Sequence, residues 1–266
     1  MPDPVEVSLS EEAMDAVKGG AAQEQSIAVV IPVHETHLAY LPAAIESVLQ
    51  LGEAPDELVI VDDGQCGVPD IWNEYIDQLE KQGILSRYRF TAEQRGAAAA
   101  RNLGIEATRT DWVLCLDADD RLKPEALTAW RDALTETPNA DVVVFGYEAF
   151  GTGLNGEPAT GTRTYDEHGF GLVEAYRSNK RLACAASPFR RRLWEWHPYR
   201  RGFGLFEDTA FWLDCARHGA YFASVQEPLV DVRYHEQRTS FTRPDAEREQ
   251  NRRKLDQIAE EAEATA

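Results

Sequence analysis

The chain predicts an α/β protein built on a largely parallel sheet, and three features of its 266 residues carry that expectation. Short apolar runs alternate with stretches of helical periodicity, which is the pattern of βαβ units. The runs are apolar at nearly every position, as strands buried on both faces require. Acidic residues then collect where the runs end, at Asp62-Asp63 and at Asp117-Ala118-Asp119-Asp120.

Taken in order, Ile27 to Val33 reads as a strand, Tyr40 to Gln50 as a helix and Glu57 to Val61 as a strand. Ile71 to Gln82 then reads as a helix, Arg87 to Thr91 as a strand, Ala97 to Thr108 as a helix and Trp112 to Leu116 as a strand. Ligands of such sheets gather beyond the carboxyl ends of the strands. The loops Pro32 to Thr36, Asp62 to Gly67 and Asp117 to Asp120 are therefore where a site is expected. A helix follows Pro124 to about Glu136, then a strand from Asp141 to Ala149, and the Gly, Thr, Asn and Pro of 151–161 mark a turn or hairpin. Beyond it Phe170 to Lys180 and Phe206 to His218 read as helices and Tyr221 to Tyr234 as mostly extended.

This organisation suits one domain over residues 26–243, with an acidic tail at 1–25 and a charged helix at 244–266. The helix carries a thin apolar seam, Leu255, Ile258 and Ala262, that fits packing on the domain, a solvated face, or a homodimer contact. A formal net charge of −19 disfavours nucleic acid, because neutralising phosphates needs a basic face. The four cysteines form no CxxC pair, no apolar run approaches a membrane span, and the amino terminus lacks the order of a secretory signal. Together these point to reduced thiols and a cytoplasmic protein.

Asp117 and Asp119 stand two apart after an extended run, so they project to the same side. Carboxylates that close repel one another, and a shared proton or a divalent cation relieves the repulsion; an acidic turn is the alternative. Glu207-Asp208 opens a helix, where carboxylates cap the first turn or, in a closed site, take a proton from a hydroxyl. Arg190, Arg191, Arg192, Arg200 and Arg201 form a basic island interleaved with Trp194, Trp196 and His197. Such an island suits grip on a phosphorylated or acidic acceptor, help in holding an anionic diphosphate, or a solvated helix face with Trp194 turned into the core.

Six segments, in order, resemble the family 2 glycosyltransferases: Ile27 to Thr36 with Leu41 to Leu49; Leu58 to Gly64; Gln94-Arg95-Gly96 through Arg101-Asn102-Leu103-Gly104; Leu116 to Asp120 with Pro124; Phe206 to Phe211; and Tyr234-His235 with Ser240. The resemblance spans residues 27 to about 242. It implies a GT-A fold, a single domain with a Rossmann-like mixed sheet flanked by helices, whose nucleotide-binding half is 26–120 and acceptor-binding half 121–243. It also implies inverting transfer of a sugar from a nucleotide-diphosphate donor, UDP- or dTDP-linked, to a hydroxyl acceptor such as a glycan, a lipid-linked sugar or a small molecule.

By the same resemblance, Asp208 is the catalytic base, with Glu207 orienting the acceptor or its loop. Asp119 and His235, with Asp117, serve a Mn²⁺ or Mg²⁺ ion. Pro32, Val33, His34, Glu35, Asp62, Asp63, Gly96, Arg101, Asp117 and Ala118 surround the nucleotide sugar, Asp63 taking the base N–H and Arg101 reaching the base or phosphates. Trp194, Trp196 and Arg192 fall in the acceptor half. The chain departs from the family pattern at His34, where Tyr is common, and Glu35, where Asn is common. A sugar-phosphate nucleotidyltransferase and a catalytically degenerate nucleotide-sugar-binding module are the alternatives. The first would want a Gly-rich basic loop after the first strand, and Pro32 to Thr36 has none.

Overall fold

A computed structural model describes residues 25–153, 156–165, 176–177 and 185–263. The expected acidic tail, apart from Gln25, lies outside them, as do Cys184 and the expected helix 170–180 except Tyr176 and Arg177, which are helical.

Four parallel strands, β1 (Ile27–Val33), β2 (Glu57–Asp63), β3 (Leu85–Thr91) and β4 (Trp112–Cys115), lie in the order β3-β2-β1-β4. β2 and β4 are buried throughout and β1 at all positions but Pro32. Their uninterrupted Val, Ile and Leu thus face helices on both sides of the sheet. β3 is an edge strand, and its Arg87 and Arg89 make it a poor template for further strand pairing. The chain steps outward from β1 to β3 and then returns to β1's other side at β4. That reversal opens a crevice beyond the carboxyl ends of β1 and β4, where the acidic loop lies.

The sheet continues with mixed polarity through β5 (Arg121–Leu122), β6 (Val142–Gly151), β7 (Thr162–Arg163), β8 (Phe189–Arg190) and β9 (Phe222–Tyr234). β8 pairs antiparallel with β4 and β6, β9 runs parallel to β6, and β5 closes the edge against β9. The turn expected over 151–161 is a hairpin, because β7 pairs antiparallel with β6. At its base Gly151 has φ +95°, and a side chain there would collide with the Tyr234 carbonyl. This close approach of β6 to the end of β9 fixes where His235 leaves the sheet.

The helices are α1 (Leu41–Leu49), α2 (Val68–Lys81), α3 (Ala97–Glu106), α4 (Ala126–Glu136), α5 (Arg191–Trp196), α6 (Glu207–Arg217), α7 (Thr239–Thr242) and α8 (Asp245–Glu263). α2 begins three residues earlier than expected, since Pro69 fits a first helical turn that leaves its missing N–H unused. Ahead of α1, residues Glu35–Tyr40 wind into a 3-10 helix where a loop was expected. α3 crosses β1 and β2 closely enough that a Cβ on Gly104 would collide with Val30 Cγ1 and sit 3.0 Å from Val61 Cγ2. In α8 the seam Leu255, Ile258 and Ala262 is buried, and Leu255 and Ile258 belong to the same core as Phe211, Trp212 and Leu213 of α6. Among the alternatives for that seam, the structure uses it for packing within the chain.

Candidate active site

The acidic loop after β4, the 3-10 helix after β1 and the first turn of α6 open on one cleft of about 1110 Å³. Pro32, Val33, His34, Asp63, Gly96, Arg101, Asp117, Ala118, Asp119, Glu207 and Asp208 all line it. A side pocket of about 350 Å³ adjoins it at His34 and Asp63 and is walled by Glu35, Gly64, Gln65, Cys66 and Gln94.

His235, at the end of β9, meets the acidic loop: its Nε2 lies 2.9 Å from Asp119 Oδ2, and both side chains are about nine-tenths buried. Burial alone would raise the Asp119 carboxyl, but the His235 hydrogen bond and the positive charge of Arg238 help hold it below the ordinary carboxylate range. Asp120 goes the other way. Burial, with the negative charges of Asp119 and Asp117 beside it, lifts its carboxyl well above normal. Its Oδ1 accepts the Arg233 backbone N–H at 2.8 Å, which ties the acidic loop to β9.

His37, from the 3-10 helix, completes this cluster and was not singled out by the sequence reading. Its ring stands edge-on to His235 with centroids 5.4 Å apart, and ligand atoms of His37, Asp119 and His235 lie within 4.8 Å of one another. Burial lowers its pKa, so the ring favours its neutral form. The only hint in the sequence is its position, one short helical turn after His34 and beyond a strand end.

Asp117, Asp119 and Asp120 likewise converge within 4.8 Å. His37 Nε2 and His235 Nδ1 are buried with no hydrogen-bond partner among the described residues, which is a cost unless something accepts from or donates to them. Crowded carboxylates beside lone imidazole nitrogens form a donor set that fits a divalent cation.

Arg101 projects from α3 into the wall of the cleft with only 3% of its side chain exposed. Nη2 donates to Asp117 Oδ1 and Nη1 to Glu207 Oε1, each at 2.6 Å. Its two outer nitrogens are thus committed to carboxylates rather than directed at a base or phosphate, a correction to the expectation for this residue. The two carboxylates hold the guanidinium well above its ordinary pKa against the cost of burial. Burial pushes Glu207 upward while Arg101 pulls against it. Glu207 thereby becomes a tether for the first turn of α6. Phe206 before it adopts φ +69°, a conformation that costs a non-glycine residue roughly 1–2 kcal/mol, and it turns Asp208 into the cleft.

The acidic pair of β2 divides. Asp62 is fully buried, accepts from the Cys66 N–H at 2.7 Å and the Tyr88 hydroxyl at 3.1 Å, and does not line the cleft. It shapes the turn, which corrects its expected place around the nucleotide. Asp63 Oδ1 accepts from Thr91 Oγ1 and Arg95 N, and Oδ2 from Gly96 N, all at 2.8 Å. One acceptor site on Oδ2 remains. Gly96, with φ +87°, gives its N–H to Asp63 rather than to an outside anion. His34 Nδ1 caps the 3-10 helix through Thr36, leaving its far edge on the cleft.

The expected acceptor residues lie elsewhere, and here the sequence reading is corrected. Trp194, Trp196 and Arg192 do not line the cleft. Their helix α5 follows β8, whose Arg190 is opposite Trp112 at the start of β4, the far end from Asp117. Trp194 Nε1 donates to Asn102 Oδ1 at 2.7 Å, Arg192 pairs with Asp141 at 2.5 Å, and Trp196 is 59% exposed over Arg192. The open side of the cleft is instead edged by Arg163, Arg177, Arg238, Arg243 and Arg252.

A reversing parallel sheet brings clustered acids, a histidine and a helix-borne carboxylate to one crevice, and comparison with known proteins assigns the family. Residues 28–196 match the family Glycosyl transferase family 2, and the chain belongs to that family. Glycosyltransferase GlyG of Streptococcus pneumoniae is 30% identical over 121 residues, covering 46% of this chain and 38% of that protein. The Escherichia coli UDP-Gal:alpha-D-GlcNAc-diphosphoundecaprenol beta-1,3-galactosyltransferase is 24% identical over 231 residues, 79% of this chain and 74% of that one. S. aureus TarS 1-349, solved in complex with UDP-GlcNAc, superposes with a TM-score of 0.65 at 16% identity, over 82% of this chain and 61% of that chain. The fold is therefore the mixed α/β GT-A fold, and the chain spans 38% of GlyG and 61% of TarS 1-349.

Proposed function

We propose that this chain transfers a sugar, with inversion, from a nucleotide-diphosphate donor to a hydroxyl acceptor, and that the donor is UDP- or dTDP-linked. The observation that carries the reading is the Arg101 tie, which sets the acidic loop and the start of α6 on one cleft before any ligand is present. Transfer needs that juxtaposition, because charge develops on the departing diphosphate while a proton leaves the attacking hydroxyl.

Asp208 accepts the acceptor proton. Its Oδ1 already takes the Thr209 N–H at 2.7 Å, which orients the carboxylate, and Oδ2 is left for the hydroxyl. Asp119, His235 and Asp117 hold a Mn²⁺ or Mg²⁺ ion. When bound, such an ion offsets the negative charge gathering on the diphosphate. The free acceptor site on Asp63 takes a ring N–H, which uracil and thymine offer at the position between their two carbonyls. The Arg residues along the open side bind the more distal, anionic part of the substrates. The UDP-galactose-dependent relative and the UDP-GlcNAc complex of TarS support a UDP donor.

Thermal-shift titration of UDP, dTDP, GDP and ADP, each with Mn²⁺ or EDTA, tests the donor half. The expected outcome is a Mn²⁺-dependent rise with UDP or dTDP alone, followed by UDP release from one member of a UDP-hexose panel. Equal responses to all four nucleotides, or none, would overturn the reading.

A further inference from the structure

His37 is the part of the cluster that the proposed reaction leaves without a task. It reaches the acidic loop beside His235, carried by the 3-10 helix whose first turn is closed by the His37 N–H on the His34 carbonyl at 2.8 Å. Tyr40 from the same helix packs on His235 with ring centroids 4.9 Å apart, and the Arg233 guanidinium covers Tyr40 at 4.7 Å. These contacts restrain both imidazoles, so their placement does not depend on an arriving ligand.

A packed histidine in a protein interior ordinarily spends its ring nitrogens on hydrogen bonds. Here His37 Nε2 and His235 Nδ1 are both buried and unpartnered among the described residues. His37, Asp119 and His235 nevertheless bring ligand atoms within 4.8 Å of each other. Mg²⁺ favours a shell of oxygens, many of them water, and gains little from imidazole. Ions later in the first transition series bind imidazole strongly.

We infer that His37 is a third protein ligand, and that with Asp119 and His235 it builds a two-imidazole, one-carboxylate site that takes a transition-metal divalent ion before the nucleotide binds. The inference rests on the reading above that Asp119 and His235 hold the donor's metal. It goes further in giving the protein a resident ion with a preference for Mn²⁺, Co²⁺ or Zn²⁺ over Mg²⁺.

The test is calorimetric titration of the purified protein with Mn²⁺ and with Co²⁺ in the absence of nucleotide, alongside visible absorption of the Co²⁺ form. Wild type should take one equivalent, and Co²⁺ should show ligand-field bands that Mg²⁺ in excess fails to remove. His37→Gln should weaken nucleotide-free binding by about 10- to 100-fold, the range typical of lost support at a metal site, and shift the Co²⁺ bands. Its Mn²⁺-dependent UDP binding should persist, since Asp119 and His235 remain. His37→Asn, which shortens the side chain further, should behave the same way if either variant folds less well.

Unchanged affinity and spectra in both variants would overturn the role of His37, as would a wild-type protein that takes no ion until UDP is added. UDP binding that ignores Mn²⁺ in wild type and Asp119→Asn alike would instead sink the metal-dependent donor reading itself, which separates the two failures.

Discussion

The two ends of β4 carry similar residues and use them in opposite ways. At the carboxyl end, Asp117, Asp119, Asp120, Arg101 and His37 line a cleft, with His235 behind them against Asp119, and Arg101 Nε, His37 Nε2 and His235 Nδ1 have no partner among the described residues. At the amino end, Arg190 donates to Ala140 O, Gln25 Oε1 and Pro138 O, Arg192 pairs with Asp141, and Arg200 binds Asp214 through two parallel hydrogen bonds of 2.6 and 2.7 Å. Charge density alone therefore does not mark a site. What separates the regions is what the charges meet: at the amino end the guanidinium groups of Arg190, Arg192 and Arg200 are spent on acceptors inside the fold, whereas at the cleft carboxylates crowd one another beside imidazole nitrogens that have no partner among the described residues.

The largest effect expected at the cleft end is loss of the base. Asp208→Asn should lower kcat about 10²- to 10⁴-fold, the usual contribution of a positioned proton acceptor, while UDP affinity stays near wild type. Steady-state turnover together with UDP titration reads both, and an unaltered kcat would remove Asp208 from its role. Next comes the buried tie. Arg101→Met leaves Asp117 and Glu207 without their cation and should cost about 3 kcal/mol in urea unfolding, toward the low end for a broken buried pair because Asp117 is 35% exposed. Rescue by lower pH should accompany it, since protonating the orphaned carboxylates removes their repulsion.

Smaller again, Asp119→Ala should weaken UDP binding about 10-fold with Mn²⁺ present, as loss of one ligand implies, and change it little in EDTA. Isothermal titration under the two conditions makes the comparison. The smallest effects belong to the amino end. Arg192→Ala should cost no more than about 1 kcal/mol, being half-exposed, and neither it nor Trp196→Ala should move kcat. A tenfold fall in turnover from either would erase the contrast between the two ends.

The parallel half of the fold was legible because its strands announce themselves at every position. Ile27–Val33 matches its expected span, since an apolar run bounded by polar residues leaves no choice of register. The meeting of Asp119 with His235, 116 residues apart, followed from a family resemblance and not from spacing, which says nothing about where separate loops meet. The basic island misled for a related reason. Asp141 and Asp214, which consume its arginines, come from β6's approach and from α6, and a one-dimensional reading sees the arginines together and their partners apart. His37 escaped because the segment after β1 looks like an irregular loop until the 3-10 turn gives His34 and His37 a common side.

The packing of α8 against α6 has a consequence for how the protein must be handled. The helix that begins with Glu207 and Asp208 rests its buried face on Leu255 and Ile258, and α8 also contributes Arg252 and Asp256 to the cleft rim. Any tag, proteolytic nick or shortening that peels this last helix away would loosen the helix that carries Asp208, the proposed base, while sparing the parallel strands. Such a protein would keep its sheet, lose the helical ellipticity of 19 residues and forfeit its turnover, and amide exchange along the terminal helix would slow when a substrate fills the crevice.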